Sequence, residues 1–424
     1  MNQQLFDYIA ASPTAYQAVA HTAKMLREEG YEELCEAHSW QLAAGGRYFV
    51  TRNGSSLIAF RMPKGDFDGF MMTASHCDSP CFKIKENDRL ADSNYVRLST
   101  EKYGGMLCAS WMDRPLSVAG RITVRTENGM ETRLVDLSEP VAIIPNVAIH
   151  MNRNANDGMS YNPAVDMLPL VGTAENKVAL RRRVADAAGI SEEDILTTDL
   201  FVYNPQAGTA WGDLIAAPRL DDLQCAFSAL CAFMTAEDGN NLPVYCLFDN
   251  EEVGSGTKQG AASTLLADIL GRIVPDTDAY RRKIASSFLV SCDNAHAAHP
   301  NHPEYTDKNH AVYMNRGIVI KYNANQKYTS DAVSAGIFRL ICERADVPTQ
   351  YYANRADMAG GSTLGNIANT QVSLNTVDIG LAQLAMHSSY ETAGARDTEF
   401  MVTALKKFYE TSLTMKNDGS YILK

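Results

Sequence analysis

The sequence predicts an α/β protein with a mainly parallel sheet, covered by helices on both faces and interrupted by a β-rich insertion. Three observations predict this. After Pro218, helical stretches alternate with short, solid apolar runs: a helix from about Asp221 to Glu237, the strand Val244 to Phe248, a helix from about Gly260 to Gly271, and the strand Ser287 to Ser291. Strands that are apolar at every position are buried on both sides, as in parallel sheets sandwiched by helices. From about Lys83 to Gly212 the texture changes to alternation, as in Arg121-Ile122-Thr123-Val124-Arg125 and Thr132-Arg133-Leu134-Val135-Asp136, the pattern of half-exposed antiparallel strands. Finally, 424 residues exceed the size at which a single core keeps growing. The economical division is a discontinuous α/β domain, 1–82 and 213–424, interrupted by a β-rich domain of about 130 residues at 83–212.

Each element has its own signal. Ser12-Pro13 followed by Ala15, Val19, Ala23, Leu26 and Gly30 reads as an amphipathic helix with Ser12 as cap, Pro13 as first residue and Gly30 as stop. Ser56 to Phe60 and Phe70 to Ala74 are apolar runs between turn residues, hence strands. Asn176 to Ala188 is a charged helical segment within the β-rich stretch.

Composition narrows the function classes. Hydrophobic residues at 46% and charged residues at 21% describe a soluble globular chain. A net charge of −12 argues against a nucleic-acid partner, which requires basic patches. Nine cysteines without a C-x-x-C pair do not form a disulfide framework. No leader-like start and no apolar run of roughly eighteen residues is present, so no membrane association is expected and a reducing cytoplasm is the expected location.

The chemistry concentrates where apolar runs end. Val244 to Phe248 leads into Asp249-Asn250-Glu251-Glu252, and Phe70 to Ala74 into His76 and Asp78. Phe288-Leu289-Val290 leads to Asp293. Gln371 to Leu374 is followed by Val377-Asp378-Ile379-Gly380 and then Leu384-Ala385-Met386-His387. Ligands of open α/β sheets bind beyond the carboxyl ends of the strands. Two adjacent carboxylates there are costly to hold unless a positive charge is bound, and a divalent metal supplies one. Each residue also has a plainer reading. Glu-Glu is common on solvated helix faces, Asp221 could cap a helix, Asp293 could serve a turn, and His387 could be structural. His296, His299, His302 and His310 lie in a polar loop without a fixed face and read as solvated.

As a set, these residues resemble the aspartyl aminopeptidase family of co-catalytic dizinc metallo-aminopeptidases. The matching segments, in the family's order, are Ala74-Ser75-His76-Cys77-Asp78-Ser79-Pro80, Ile144-Pro145-Asn146-Val147-Ala148-Ile149-His150 and Pro218-Arg219-Leu220-Asp221-Asp222-Leu223. They continue with Asp249-Asn250-Glu251-Glu252-Val253-Gly254-Ser255, the run from Asp293-Asn294-Ala295-His296-Ala297 to His299-Pro300, and Leu384-Ala385-Met386-His387-Ser388. The resemblance implies a zinc-peptidase type of sheet and two divalent metal ions per subunit, zinc first, with manganese or cobalt also suited. It implies that His76 and Asp293 bind one ion, Glu252 and His387 the other, and Asp221 both. Glu251 is implied as general base, and Asp78 as the partner that fixes the His76 tautomer. His150 is implied to reach a neighbouring subunit's active site, making the insertion a dimerisation domain, with dimers assembling into a tetrahedral dodecamer that admits short peptides. Lys321 is implied to favour Asp or Glu at the substrate N-terminus, although an edge-strand lysine is the plainer reading. Gly361 and Ser362, within Gly360-Gly361-Ser362-Thr363, resemble the family's substrate loop.

The sequence departs from the family pattern around Asp357-Met358-Ala359, at Cys77, where a hydroxyl or small residue is usual, and at Asp222, which often is Asn. The expected function is therefore release of N-terminal Asp or Glu from peptides. The alternatives are a relative preferring neutral residues, a metal-dependent deacylase of related architecture, and a non-catalytic assembly scaffold.

Overall fold

Residues 1–175 and 179–424 are described by a computed structural model. Its apolar runs pair into a nine-stranded sheet with the order Glu32–Leu34, Arg47–Arg52, Ser56–Arg61, Leu242–Phe248, Phe70–His76, Phe288–Cys292, Asn375–Gly380, Ile318–Tyr322, Thr349–Ala353. The four strands Leu242–Phe248, Phe70–His76, Phe288–Cys292 and Asn375–Gly380 are parallel neighbours. Ser56–Arg61 joins Leu242–Phe248 antiparallel, and Ile318–Tyr322 joins Asn375–Gly380 antiparallel, so the sheet is mixed around a parallel centre.

Side-chain alternation explains why these strands are apolar throughout. In Leu242–Phe248, Tyr245 and Leu247 enter one core with Leu230 and Phe233 of the helix Leu220–Thr235 and Leu405 and Phe408 of the helix Asp397–Glu410. Val244, Cys246 and Phe248 enter a second core with Leu266 and Ile269 of the helix Leu265–Ile273 and Leu364 of the helix Leu364–Ala368. A period of two therefore feeds both cores from one strand.

A second sheet of six strands runs Gly129–Asp136, Ser117–Thr126, Ile195–Tyr203, Cys81–Ala91, Tyr95–Tyr103, Leu170–Thr173, antiparallel throughout. It has its own core, including Ile122, Val124 and Val135, while Arg125 and Arg133 on the same strands are exposed. Gln17 docks the helix Ala15–Glu28 on this sheet, its Nε2 donating to the carbonyls of Gly120 at 2.8 Å and Val135 at 2.9 Å. Among the described residues no helix is long and apolar enough to cross a membrane.

Several boundaries differ from expectation. The first amphipathic helix is Ala15–Glu28, preceded by a separate helix Asn2–Ala10, so Ser12 and Pro13 lie in the turn between them rather than at a cap. Gly30 takes φ 80° just beyond it, the left-handed conformation that stops helices. The charged helix is Leu180–Ala188; the part of that expectation at 176–178 lies outside the described residues. The helix expected from Gly260 begins at Leu265 instead. A Cβ on Gly260 would approach the Ser255 carbonyl to 2.3 Å, which fits a tight turn and not a helix start. Gln371 to Leu374 precede the strand Asn375–Gly380 instead of forming it. Thr209–Trp211 pairs with Leu214–Ala217 in a five-stranded sheet that also holds Glu391–Gly394, Ala382–Leu384 and Ala295–His296.

Candidate metal centre

The parallel centre of the large sheet delivers its carboxyl ends to one edge, and the candidate ligands gather there. His76 is the last residue of Phe70–His76, and Asp293 follows the neighbouring strand Phe288–Cys292. Glu251 and Glu252 sit in the single turn Glu251–Val253, just past Phe248. Asp221 lies at the start of the helix Leu220–Thr235, where Asp221 and Asp222 depart from helical dihedrals. His387 lies between the short strands Ala382–Leu384 and Glu391–Gly394.

Asp221 stands at the middle. Its Oδ1 is 3.4 Å from His76 Nε2, and its Oδ2 is 3.4 Å from His387 Nε2. His76 Nε2 also faces Asp293 Oδ1 at 4.0 Å, and His387 Nε2 faces Glu252 Oε1 at 3.3 Å. Ligand atoms of His76, Asp221 and Asp293 lie within 4.8 Å of one another, as do those of Asp221, Glu252 and His387, and of His76, Glu251 and Glu252. Both imidazoles are turned the same way. His76 Nδ1 is 3.1 Å from the Asp78 carbonyl and His387 Nδ1 is 2.6 Å from the Gly105 carbonyl. A carbonyl only accepts, so each Nδ1 carries a hydrogen and each Nε2 is turned toward the carboxylates.

The donor set fits divalent cations. Asp221 Oδ1 and Glu252 Oε1 are buried without a hydrogen-bond donor, a costly state that a cation among them would relieve. The electrostatics agree. Burial pushes Glu251 up to about 8 and raises Glu252 and Asp293 as well. At Asp221 burial acts upward too, but the two histidines outweigh it and hold the carboxyl below its usual range. His387 is pulled down by burial yet carried up to about 10 by Asp221 and Glu252. Such a cluster is short of positive charge.

A second layer holds the first. Asp78 accepts the backbone N–H of Glu251 and of Glu252, each at 3.1 Å, and the Tyr103 hydroxyl at 2.7 Å. Its carboxylate is 3.4 Å from His76 Nδ1, farther than its own carbonyl, so backbone and side chain share the orientation of that ring. Glu391 accepts the N–H of Asp221 at 2.9 Å and of His387 at 2.7 Å. Glu391 and Tyr103 were not singled out from the sequence. Glu391 opens a strand four residues past His387, and Tyr103 ends a strand of the β-rich sheet, so neither stands in a recognisable motif.

The other expected site residues are not among these ligand groupings. Lys321 is buried on the strand Ile318–Tyr322, which has neighbours on both sides, so the edge-strand reading does not hold. Its Nζ donates to the Asn294 carbonyl at 3.0 Å and stands 3.7 Å from Asp293 Oδ2. Gly361 and Ser362 lie in the exposed loop before the helix Leu364–Ala368, where Ser362 bonds Asn366 at 3.2 Å. His150 is exposed on a turn of the β-rich region. Neither His150 nor this loop belongs to the groupings of candidate ligands among the described residues. Asp222 is buried, with Oδ2 accepting the His76 N–H at 3.2 Å. His302 and His310 pair with Glu304 and Asp307 on the surface.

With this geometry in view, comparison with known proteins is specific. A family described as "Aminopeptidase I zinc metalloprotease (M18)" matches residues 8–409. A probable M18 family aminopeptidase 2 of Clostridium novyi (strain NT) is 41% identical over 422 residues, covering 96% of this chain and 98% of that protein. Among solved structures, the cryo-EM structure of the Ape4 and Nbr1 complex matches with a TM-score of 0.93 at 32% identity, covering 96% of this chain and 85% of that one. The mApe1 dodecamer of S. cerevisiae matches with a TM-score of 0.83 at 29% identity, covering 96% and 95%. Motifs, strand-end cluster and relatives converge: the chain belongs to the M18 family of zinc metallo-aminopeptidases and is an aminopeptidase.

Proposed function

We propose that the enzyme releases the N-terminal residue of short peptides, preferentially Asp or Glu, at a two-metal site with Glu251 as general base. The observation that carries this reading is the divided Asp221 carboxylate, with one oxygen toward His76 and the other toward His387. His76 and Asp293 would hold one ion, Glu252 and His387 the other, and Asp221 both. Zinc suits the imidazole and carboxylate donors, as do manganese and cobalt. When bound, such ions supply an anchor for the free α-amine, polarisation of the scissile carbonyl and a lowered pKa for the attacking water.

The chain's own groups do the rest. Glu251 takes the proton of the attacking water and returns it to the leaving amine. Asp78 fixes the backbone of both glutamates and the His76 ring. Lys321 supplies the buried positive charge that favours an acidic side chain, and Gly361 and Ser362 belong to the substrate loop. One observation favours a second reading, a preference for neutral residues: Lys321 already faces Asp293 at 3.7 Å and has less charge to offer a substrate.

Residues 83–212 act in this reading as a dimerisation domain inserted into the catalytic domain of 1–82 and 213–424, whose sheet is of the zinc-peptidase type. Val147, Ile149 and Met151, 53%, 46% and 84% exposed beside His150, favour a covered surface. His150 would then enter a neighbouring subunit's site and stabilise the developing oxyanion, within dimers built into a tetrahedral dodecamer. The nine free cysteines suit a reducing cytoplasm.

The test is a panel of Asp-, Glu- and Leu-terminated peptides with N-acetylated controls on metal-loaded protein. Hydrolysis of free Asp and Glu termini alone supports the reading; a Leu preference turns it to the second, and cleavage of acetylated peptides overturns it. Glu251→Gln should keep both metals by elemental analysis while losing at least about a hundredfold in kcat.

A further inference from the structure

Asp378 is a fully buried carboxylate that the proposed reaction does not use. It lies on the strand Asn375–Gly380, paired with Ser291, two residues before Asp293 on the neighbouring chain segment. A carboxylate inside a sheet must find donors, and those of Asp378 come from two separate loops. Its Oδ2 accepts the Thr329 N–H at 2.5 Å and the Thr329 hydroxyl at 2.8 Å. Its Oδ1 accepts the Thr363 hydroxyl at 2.7 Å. Ser330 secures the backbone beneath, its hydroxyl accepting the Asp378 N–H at 2.9 Å and donating to the Asp378 carbonyl at 3.3 Å.

Both loops lead to Lys321. Thr329 and Ser330 lie in the segment 323–331, between the strand Ile318–Tyr322 and the helix Ala332–Arg344. Thr363 ends the segment 354–363, which contains Gly361 and Ser362 and joins the strand Thr349–Ala353 to the helix Leu364–Ala368. Tyr328, next to Thr329, lies with its ring centroid 5.3 Å from Lys321 Nζ and packs on Tyr352 at 6.3 Å. The Tyr352 hydroxyl accepts from Asn354 at 3.0 Å, and Gly360 sits so close to the Asn354 amide that a Cβ there would clash. Lys321 in turn stands 3.7 Å from Asp293. Just beyond the second loop, Asn366 donates to the Gln326 carbonyl of the first at 3.3 Å. Residues 324–327 and 356–359 are otherwise exposed, so the buried anchors at Asp378 carry much of the order of both loops.

We propose that Asp378 is a positioning residue for substrate binding, one carboxylate that clasps both loops and so sets the shape of the pocket around Lys321. Either loop can lift only by leaving a buried carboxylate oxygen short of a donor, which is costly. Asp378 is not among the groupings of candidate ligands, so its effect falls on substrate binding and not on the metals. The inference rests on the reading of Lys321 and of the loop with Gly361 and Ser362 as substrate-facing.

The test is Thr363→Val in metal-loaded protein, which removes the hydroxyl and keeps the shape, with Thr363→Ser as the variant that restores the hydrogen bond. In Thr363→Val, KM should rise at least about tenfold with kcat within about twofold, the signature of lost binding common to ground and transition states. Amide hydrogen exchange, followed by mass spectrometry, should quicken at least about tenfold in peptides from 354–363. Thr363→Ser should restore both readings, and metal content should match wild type in each variant. Unchanged exchange in Thr363→Val overturns the clasp, and quickened exchange with an unchanged KM overturns its role in binding. A fall in kcat with loss of metal, or equal losses in both variants, overturns the proposal as well. KM is read on whichever of the Asp-, Glu- or Leu-terminated peptides the wild type prefers, so a failed acidic preference is seen separately. Should Thr363→Val not fold, Thr329→Val carries the same test on 323–331, since the Thr329 N–H still reaches Asp378.

Discussion

One half of the candidate metal centre is built on strands and the other on loops. His76 and Asp293 end adjacent parallel strands, and their side chains are only 1% and 11% exposed. His387 sits between two short strands in left-handed backbone at φ 66°, and its side chain is 31% exposed. Glu252 rides on a single turn. The sheet's hydrogen-bond ladder fixes the backbone of the first half, leaving Asp78 to orient the His76 ring, whereas the second half has no such ladder and depends on accessory groups: Glu391 and the Gly105 carbonyl for His387, Asp78 for Glu252. Ligands held by a ladder tolerate the loss of an accessory bond; ligands held by side chains do not. The loop-borne half should therefore be the first to lose its metal.

The largest expected effect joins both halves. Asp221→Ala removes the carboxylate whose two oxygens each lie 3.4 Å from one of the two histidines, so metal content should fall in both half-sites and kcat by at least about a thousandfold. His387→Ala, by contrast, should empty only one equivalent by elemental analysis. If Asp221→Ala kept one tightly bound equivalent, the shared-carboxylate geometry would be wrong.

Glu391→Gln separates the halves more finely. The amide keeps the shape but offers only one carbonyl oxygen to the two N–H groups of Asp221 and His387. The expected loss is about ten- to a hundredfold in affinity for one metal equivalent. Competitive chelation should show the other equivalent unchanged, and uniform weakening of both would erase the distinction between the halves.

The same division explains what was legible in the sequence. Strand-borne residues are announced by their strands, since a solid apolar run that stops at His76 or just before Asp293 marks both the sheet and its functional edge. His387 became a candidate as the end of the apolar run Leu384-Ala385-Met386 and as one of an ordered set of motifs, although the strand there, Ala382–Leu384, stops before it. Glu391 and Tyr103 were invisible because their roles depend on a hairpin and on a second sheet folding back against the first. The start of the first helix was misplaced because Ser12-Pro13 forms a plausible cap locally, while the additional helix Asn2–Ala10 turns that dipeptide into a connector. The large sheet was expected to be mainly parallel from its buried strands, yet Ser56–Arg61 and Ile318–Tyr322 run antiparallel. Burial on both faces constrains side chains and leaves strand direction open.

A smaller effect comes from two consecutive glycines that touch only the loop-borne half. Gly104 has φ 71°, and a Cβ there would lie 3.1 Å from Glu252 Cβ. A Cβ on Gly105 would meet only His387 Nδ1, at 3.8 Å, ordinary contact. Gly104→Ala should cost about 1–2 kcal/mol from the backbone alone and reduce kcat several-fold by displacing Glu252. Gly105→Ala should be close to wild type, since its carbonyl still accepts from His387. Equal effects in denaturation and in rate would mean that Glu252 has more freedom than this geometry allows.

The smallest effect on turnover, none, is expected at a buried carboxylate with no cation site beside it. Asp397 is fully buried at the start of the helix Asp397–Glu410; one oxygen accepts the Asn315 N–H at 2.7 Å and the other has no partner. Burial pushes its carboxyl up to about 6 against the pull of backbone N–H groups from Asn315 and Gly317. The folded protein therefore holds this proton more tightly than the unfolded chain does. Stability from this group is complete below about pH 4, is lost as pH rises to about 6, and stays flat above, with a total near 3 kcal/mol. Asp397→Asn retains an acceptor for Asn315 and removes the titration. The stability of wild type relative to the variant, measured by denaturant unfolding of metal-loaded protein, should thus decline between about pH 4 and 6 and then level. Parallel curves across that window would show that Asp397 is charged and solvated in the folded state. Unpaired burial would then not be what raises the carboxyls of the metal centre either.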